Sequence, residues 1–167
     1  MNLLKIGRLV NTHGIKGEVR ILSDFKFKDE VFKKGNSLII GKYKDTKIIS
    51  SYRSHKDFDM VTFEGIDNIN DVLSYKGYDV LIDRDLYTFS GIVYEDLIGM
   101  SVYSNDTLIG TVEEVMKNHA HPILVIMKDD VKNLVPFIDE FIEDVNMESK
   151  RIQIKVIEGL INENWYS

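Results

Sequence analysis

Gly7-Arg8-Leu9-Val10-Asn11-Thr12-His13-Gly14-Ile15-Lys16-Gly17-Glu18-Val19-Arg20-Ile21-Leu22 is the stretch on which the reading of the whole chain turns. Two apolar runs flank a corner punctuated by glycine. After Gly17, the apolar Val19 and Ile21 alternate with the charged Glu18 and Arg20, the two-residue period of a half-buried strand. Gly14 and Gly17 stand where a tight corner needs backbone angles that residues with a Cβ avoid. His13 and Lys16 sit on the corner, with Arg8 and Arg20 on its arms. A rigid bend presenting basic groups suits contact with phosphate or with an acidic surface. Equally, the glycines could only make the turn and the charges only solvate it.

Composition sets the limits around that corner. A chain of 167 residues makes one domain or two small ones, and it can bury enough surface to fold without staples. The absence of cysteine excludes disulfides, thiol catalysis and thiolate metal sites, and fits a reducing, cytoplasmic setting. Met1-Asn2-Leu3-Leu4-Lys5 lacks the basic start and long apolar run of a signal peptide, so no leader is expected. No run approaches the ~18 apolar residues of a membrane helix, and no membrane partner is expected. With two prolines and no low-complexity tract, nothing points to long disorder.

The net charge of −6 conceals an asymmetry. Residues 1–86 carry 15 Lys+Arg against 13 Asp+Glu, whereas residues 87–167 carry 6 against 14. A weakly basic half joined to an acidic half is the charge pattern of an adaptor, one part facing a polyanion and the other a basic partner.

Along the chain, residues 3–22 read as two strands around the corner. Between Asp24 and Lys34, Phe25, Phe27, Val31 and Phe32 interleave with charges. Such a mixture can stack on bases and hold phosphates, but phenylalanines plugging the end of a barrel are the preferred reading. Strands are expected at Ser37–Ile40, Lys47–Arg53 and Met60–Glu64, with Arg53–Asp59 as a hairpin loop. Asp67 or Asn68 as a cap, Ile69, Val72 and Leu73 at helical spacing, and Gly77 as a stop predict a helix of at most three turns. Strand returns at Tyr78–Asp83. Many short strands with one short helix predict a small barrel. The join falls at Asp85–Gly91. Beyond it, strands are expected at Gly99–Tyr103, Leu108–Val115, Ile123–Met127, Asn133–Ile138, Phe141–Val145 and Arg151–Val156. Turns fall at Asn105-Asp106 and Asp129-Asp130, and Pro136 lies at an edge or bulge. Glu158–Ile161 closes the packed part, leaving a tail whose Trp165 and Tyr166 could dock on a neighbour.

Two other constellations carry potential chemistry. His119-Ala120-His121 puts two imidazoles on one side of an extended segment, but no third ligand is spaced nearby, and Pro122 marks a loop. Asp139-Glu140 and Glu143-Asp144 could be drawn as acid and base, yet nothing local would set one apart from the other, so they read as a solvated face. No metal site is expected. No nucleophile elbow, phosphate-cradling loop or dinucleotide fingerprint is present.

The segment from Gly7 to Arg20, centred on His13-Gly14-Ile15-Lys16-Gly17-Glu18-Val19-Arg20, resembles the N-terminal signature of the RimM family of bacterial ribosome maturation factors. Glu95-Asp96-Leu97-Ile98-Gly99, Leu108-Ile109-Gly110-Thr111-Val112 and Leu134-Val135-Pro136-Phe137 resemble the PRC-barrel domain that follows in that family. The resemblance covers essentially the whole chain. It implies a mainly β protein of two small barrels: an N-terminal barrel like those of translation factors over residues 1–86, a linker at 87–92, and a C-terminal PRC barrel with a short tail over 93–167. It further implies a non-catalytic, cofactor-free chaperone of the head of the small ribosomal subunit. Such a protein would bind small-subunit ribosomal protein number nineteen and support processing of the small-subunit RNA within the immature subunit. Under this reading Arg8, His13, Lys16, Arg20, Tyr94, Asp96 and Leu97 are the candidate partner-binding residues. Gly14, Gly17 and Gly99 are structural turn residues. The family often has two adjacent aromatics before its Asp-Leu-Ile-Gly-like motif, linked to partner binding. Here Ile92 and Val93 hold those positions, and Tyr94 is the substitute. Two alternatives remain: a PRC-barrel module with an unrelated partner, and a metal-dependent hydrolase using the paired histidines and the acidic residues of the C-terminal half.

Overall fold

The computed structural model describes residues 1–42, 44–117 and 120–155. The chain divides into two compact units, Met1–Gly91 and Ile92–Ser167, and both are built almost wholly of strands.

The first unit holds β1 (Leu3–His13), β2 (Glu18–Leu22), the one-turn helix α1 (Lys28–Val31), β3 (Ser37–Ile40), β4 (Asp45–His55), β5 (Phe58–Phe63) and β6 (Asp79–Asp83). All neighbouring strands run antiparallel, and the order β1-β2-β5-β4-β3-β6 closes into a barrel through the β6–β1 ladder. Closure leaves no sheet edge for another chain to pair with. β1 reaches both neighbours because its register shifts between Lys5 and Gly7 and again between Leu9 and Asn11, and such bulges bend a strand. The alternation foreseen in β2 holds: Val19 and Ile21 are fully buried, with Leu9 opposite Ile21 and Val61 opposite Val19. Each such side chain contributes about 1.5–3 kcal/mol relative to exposure.

Phe25, Phe27, Val31 and Phe32 are all buried, so these phenylalanines belong to the core and not to a stacking surface. Phe25 and Phe27 pack with Phe89, and Phe32 stacks on Tyr52 at 5.8 Å. Beside this stack, the buried Asp59 carboxylate accepts from the Tyr52 hydroxyl at 2.6 Å and from Lys28 Nζ at 3.0 Å. Desolvation first, then the bond to Asp59, pushes the Tyr52 hydroxyl far above the usual phenol range. Through Phe89 and the Ser90 Oγ–Glu30 Oε2 hydrogen bond of 2.9 Å, the segment expected as the join packs against the first unit.

Two expectations are corrected here. The helix foreseen after Asp67 is instead two single turns of 3-10 helix, Ile69–Asp71 and Leu73–Tyr75, each closed by a bond three residues back: Val72 N–H to Ile69 O and Tyr75 N–H to Val72 O. Asn68 does cap the first turn, accepting from the Asn70 N–H, but Val72 at φ −123°, ψ −4° leaves helical geometry, and Leu73 is exposed. So short a helix depends on packing, and tertiary bonds take its place: Ile69 N–H donates to Ile15 O and Gly77 N–H to Leu9 O. The expected loop Arg53–Asp59 is also strand. β4 and β5 stay paired down to His55 opposite Phe58, leaving only Lys56 and Asp57 to turn, with Lys56 at φ +55°.

The second unit holds β7 (Ser101–Ser104), β8 (Thr107–Met116), β9 (Ile123–Lys128), β10 (Val131–Pro136), β11 (Ile142–Asn146) and β12 (Arg151–Ile154), in the sheet order β10-β9-β8-β7-β12-β11. The hairpin turns fall at Asn105-Asp106 and Asp129-Asp130, as the sequence predicts. Both aspartates of the second turn have positive φ, matching the twist of paired strands. β12 pairs with β7 in parallel. Pro136 ends the outermost strand β10, where its missing N–H removes no needed bond. The core comprises Leu97, Met100, Val102, Ile109, Val112, Val115, Leu124, Ile126, Val135, Ile152 and Ile154. His119, Glu158–Ile161 and the tail with Trp165 and Tyr166 lie outside the described residues. No helix among the described residues is long and apolar enough to cross a membrane.

Candidate nucleic-acid interface

The corner between β1 and β2 is built as its glycines require. Gly14 has φ +69° and Gly17 φ +95°. A Cβ on Gly14 would meet nothing within 4 Å, so only the backbone angle selects glycine there. A Cβ on Gly17 would lie 2.9 Å from Ile66 Cγ2, so that glycine also lets the segment before the 3-10 turns press against the corner. With the Ile69–Ile15 bond, this fixes the bend against the barrel wall.

Register then decides which side chains share the outer face. His13 lies opposite Glu18, and Asn11 opposite Arg20; Arg20 lies opposite Met60, and Met60 opposite Arg53. Arg20 Nη2 meets His13 Nδ1 at 2.8 Å. A guanidinium can only donate, so His13 accepts through Nδ1 and its remaining proton sits on Nε2. The Arg20 guanidinium carbon lies 5.7 Å from the Phe58 ring centre, and its Nε is buried with no hydrogen-bond partner. The His55 ring lies 5.9 Å from that of His13. Arg53 grips Glu18 with two bonds, Nε–Oε2 at 3.0 Å and Nη2–Oε1 at 2.8 Å. This grip holds the Glu18 carboxyl below the usual carboxylate range. His55 is held below the usual histidine range by desolvation, then by the nearby cations Arg53 and Lys56 and by His13 and Arg20. An open groove of about 420 Å³ runs beside the corner, lined by His13, Gly14, Ile15, Lys16, Glu18 and Thr62, and Ile15 on its rim is 78% exposed. Among the described residues, Glu18 is the one carboxylate lining it.

Of the residues singled out in the first unit, the structure therefore brings His13, Lys16 and Arg20 together. Arg8 is exposed on the same arm, opposite Leu22. Arg53, His55 and Thr62 complete the face and escaped the sequence reading. The outward-pointing Arg53-Ser54-His55 alternation was the available signal, hidden by the assignment of Arg53–Asp59 to a loop.

The second-unit candidates separate. Tyr94–Leu97 forms a single 3-10 turn. Leu97 is fully buried in the core, which corrects its assignment as a contact residue: the apolar position of the motif packs inward and offers a partner no surface. Val93 is buried too, and Ile92 and Tyr94 pack on the same core half-exposed. Tyr94 meets Phe137 edge-on at 6.0 Å. Asp96 is half-exposed beside Glu95, which pairs with Lys117 at 2.6 Å. Gly99 has φ +90° and makes the turn into β7. Elsewhere in this unit Glu113, Glu114, Asp139, Glu140, Glu143 and Asp144 are exposed carboxylates. The last four form no metal-binding group among the described residues, and neither does His121.

Comparison with known families assigns both units. The model of the RimM N-terminal domain matches residues 4–87, and that of the RimM PRC barrel domain matches residues 94–160. The chain belongs to the RimM family. The ribosome maturation factor RimM of Streptococcus mutans is 39% identical over 98% of this chain and 100% of its own length. That of Staphylococcus saprophyticus is 38% identical over 95% and 99%. A solved RimM from Pseudomonas aeruginosa aligns over 93% of this chain and 98% of its own, with 18% identity and a TM-score of 0.46. RimM membership agrees with the mainly β architecture of two six-stranded sheets, the second of which is the PRC barrel domain.

Proposed function

We infer that this chain is a ribosome maturation factor, a non-catalytic assembly chaperone acting on the head of the small subunit. The observation that carries the reading is that the two RimM domains lie in order along nearly the whole chain, and that its relatives over the same span are named ribosome maturation factors. The first unit lays its corner, through Arg8, His13, Lys16 and Arg20, against RNA phosphates. There each cation displaces a condensed counterion and adds a salt-dependent increment of affinity. The second unit docks a basic protein, small-subunit ribosomal protein number nineteen, on its acidic surface, with Tyr94 and Asp96 at the contact. Together they support processing of the small-subunit RNA. The charge division between the halves supports this assignment of partners.

The test is sedimentation of the purified chain with immature small subunits. Lys16→Glu combined with Arg20→Glu is expected to weaken co-sedimentation and flatten its salt dependence while the melting profile keeps its shape. Undiminished co-sedimentation would remove the corner from the interface. Absence of any association by the unaltered chain would favour a PRC-barrel module with a different partner.

A further inference from the structure

We propose that the His13–Arg20–His55 cluster is a proton-coupled phosphate site, at which binding of the RNA backbone is accompanied by proton uptake from solvent. The proposal rests on the reading of the corner as the RNA-facing surface and specifies how that surface holds its ligand.

The geometry sets two states. In the free protein, His13 Nδ1 spends its lone pair on Arg20 Nη2 at 2.8 Å, an arrangement open only to a neutral imidazole. Protonating Nδ1 there would break the bond and set two cations face to face. His55, 5.9 Å away, would add a third charge. The charged groups that interact with the pair are Arg20 and Glu18 from β2, Arg53 from β4 and Lys56 from the turn. The one anion among them, Glu18, is already taken by both arms of Arg53. Without a ligand the surroundings oppose charging of His55, which desolvation and then the neighbouring cations hold below the usual histidine range.

A phosphodiester reverses that balance. Its negative charge favours the imidazolium forms, and a proton from bulk solvent enters at His13 Nδ1. The new N–H turns from Arg20 to a phosphate oxygen, and the released Nη2 turns with it. Arg20 Nε, buried and without a partner in the free protein, marks donor capacity that the barrel does not use. His55 offers a second proton site on the adjoining strand. Arginine supplies the planar fork, and histidine supplies charge that exists only while the anion is present. By linkage, a site that takes up a proton on binding loses affinity as pH rises, up to about tenfold per pH unit for each proton.

The test is fluorescence anisotropy of the whole chain with a labelled single-stranded RNA of mixed sequence, at fixed ionic strength, from about pH 5.5 to about pH 8. The unaltered chain is expected to lose at least tenfold in affinity across that range. His13→Gln with His55→Gln keeps an acceptor for Arg20 but no titrating ring. This variant should bind with the weak, high-pH affinity throughout. His119→Gln with His121→Gln removes the remaining histidines and should keep the full pH dependence. Thermal melts of each variant separate loss of binding from loss of fold; if the first double variant melts early, His13→Gln alone serves, with a reduced slope expected. Binding that ignores pH, or a slope retained in His13→Gln/His55→Gln, overturns the proposal while leaving the RNA-facing corner intact. RNA binding indifferent to Lys16→Glu/Arg20→Glu overturns that underlying reading, and the proposal with it.

Discussion

In the first unit the charged side chains converge. His13, Arg20, Arg53 and His55 come from three strands of a closed barrel and meet on one face, where four cationic or cation-forming groups are set against a single carboxylate. In the second unit the carboxylates of Glu113, Glu114, Asp139, Glu140, Glu143 and Asp144 all stand in solvent, along strand β8, strand β11 and the loops, and no hydrogen bond or ion pair is formed among them. Under the proposed function the two patterns suit different ligands. A converged, mutually ordered cluster presents fixed donors to a small, strong anion. A spread of solvated like charges makes a field, which guides a large basic partner and is screened by salt. The cores differ as well: in the first barrel the buried Asp59 carboxylate gathers the Tyr52 hydroxyl and the half-exposed Lys28, whereas in the second Leu97 sits in a cluster of hydrophobic side chains, and the polar Ser104 and Asn133 are buried in the same unit.

The largest expected effect tests the second unit. Leu97→Ala should destabilise it by about 3 kcal/mol through lost burial and the cavity left behind. Chemical denaturation followed by tyrosine fluorescence and, separately, by circular dichroism should show an early transition for this unit; an unchanged midpoint would return Leu97 to the surface. Next, Lys16→Glu with Arg20→Glu should lower RNA affinity by about a hundredfold, about 2.7 kcal/mol, with a shallower salt slope, and leave binding of a basic protein untouched. The two corner glycines provide a sharper comparison. Gly17→Ala meets both a positive φ and Ile66 at 2.9 Å, and should cost about 2 kcal/mol. Gly14→Ala meets only the φ and should cost about 1 kcal/mol. Equal losses in thermal melts would show that Ile66 yields freely. The smallest effect belongs to Glu18→Gln. Because Arg53 holds the folded Glu18 carboxyl below the usual carboxylate range, the pair stabilises above that range, and its contribution disappears as pH falls through the lowered value. The variant should therefore melt slightly below the unaltered chain at neutral pH and together with it in strong acid.

How far the sequence disclosed this structure follows from what each element needed. Val19 and Ile21 announced β2 because a strand with one face in a core must alternate, and Asn105-Asp106 announced its hairpin because turn chemistry is local. The corner was legible for the same reason, since Gly14 and Gly17 report backbone angles set within a few residues. The segment at Ile69–Tyr75 was misread because its helical spacing is a local hint that long-range bonds to Ile15 and Leu9 override. Arg53 and His55 were missed because their place beside Arg20 and His13 depends on how the β4–β5 hairpin registers on β2, a pairing between strands more than thirty residues apart. Leu97 was placed on the surface because a motif does not say which of its residues faces inward.

The proposed division of labour gives RNA to the first unit and the basic protein to the second. It is tested most directly by measuring two affinities on one variant: binding of Lys16→Glu/Arg20→Glu to an RNA and to recombinant small-subunit ribosomal protein number nineteen, each at low and high salt. RNA binding should be lost while the protein is still held, more weakly at high salt. Loss of both affinities together, or of neither, would contradict it.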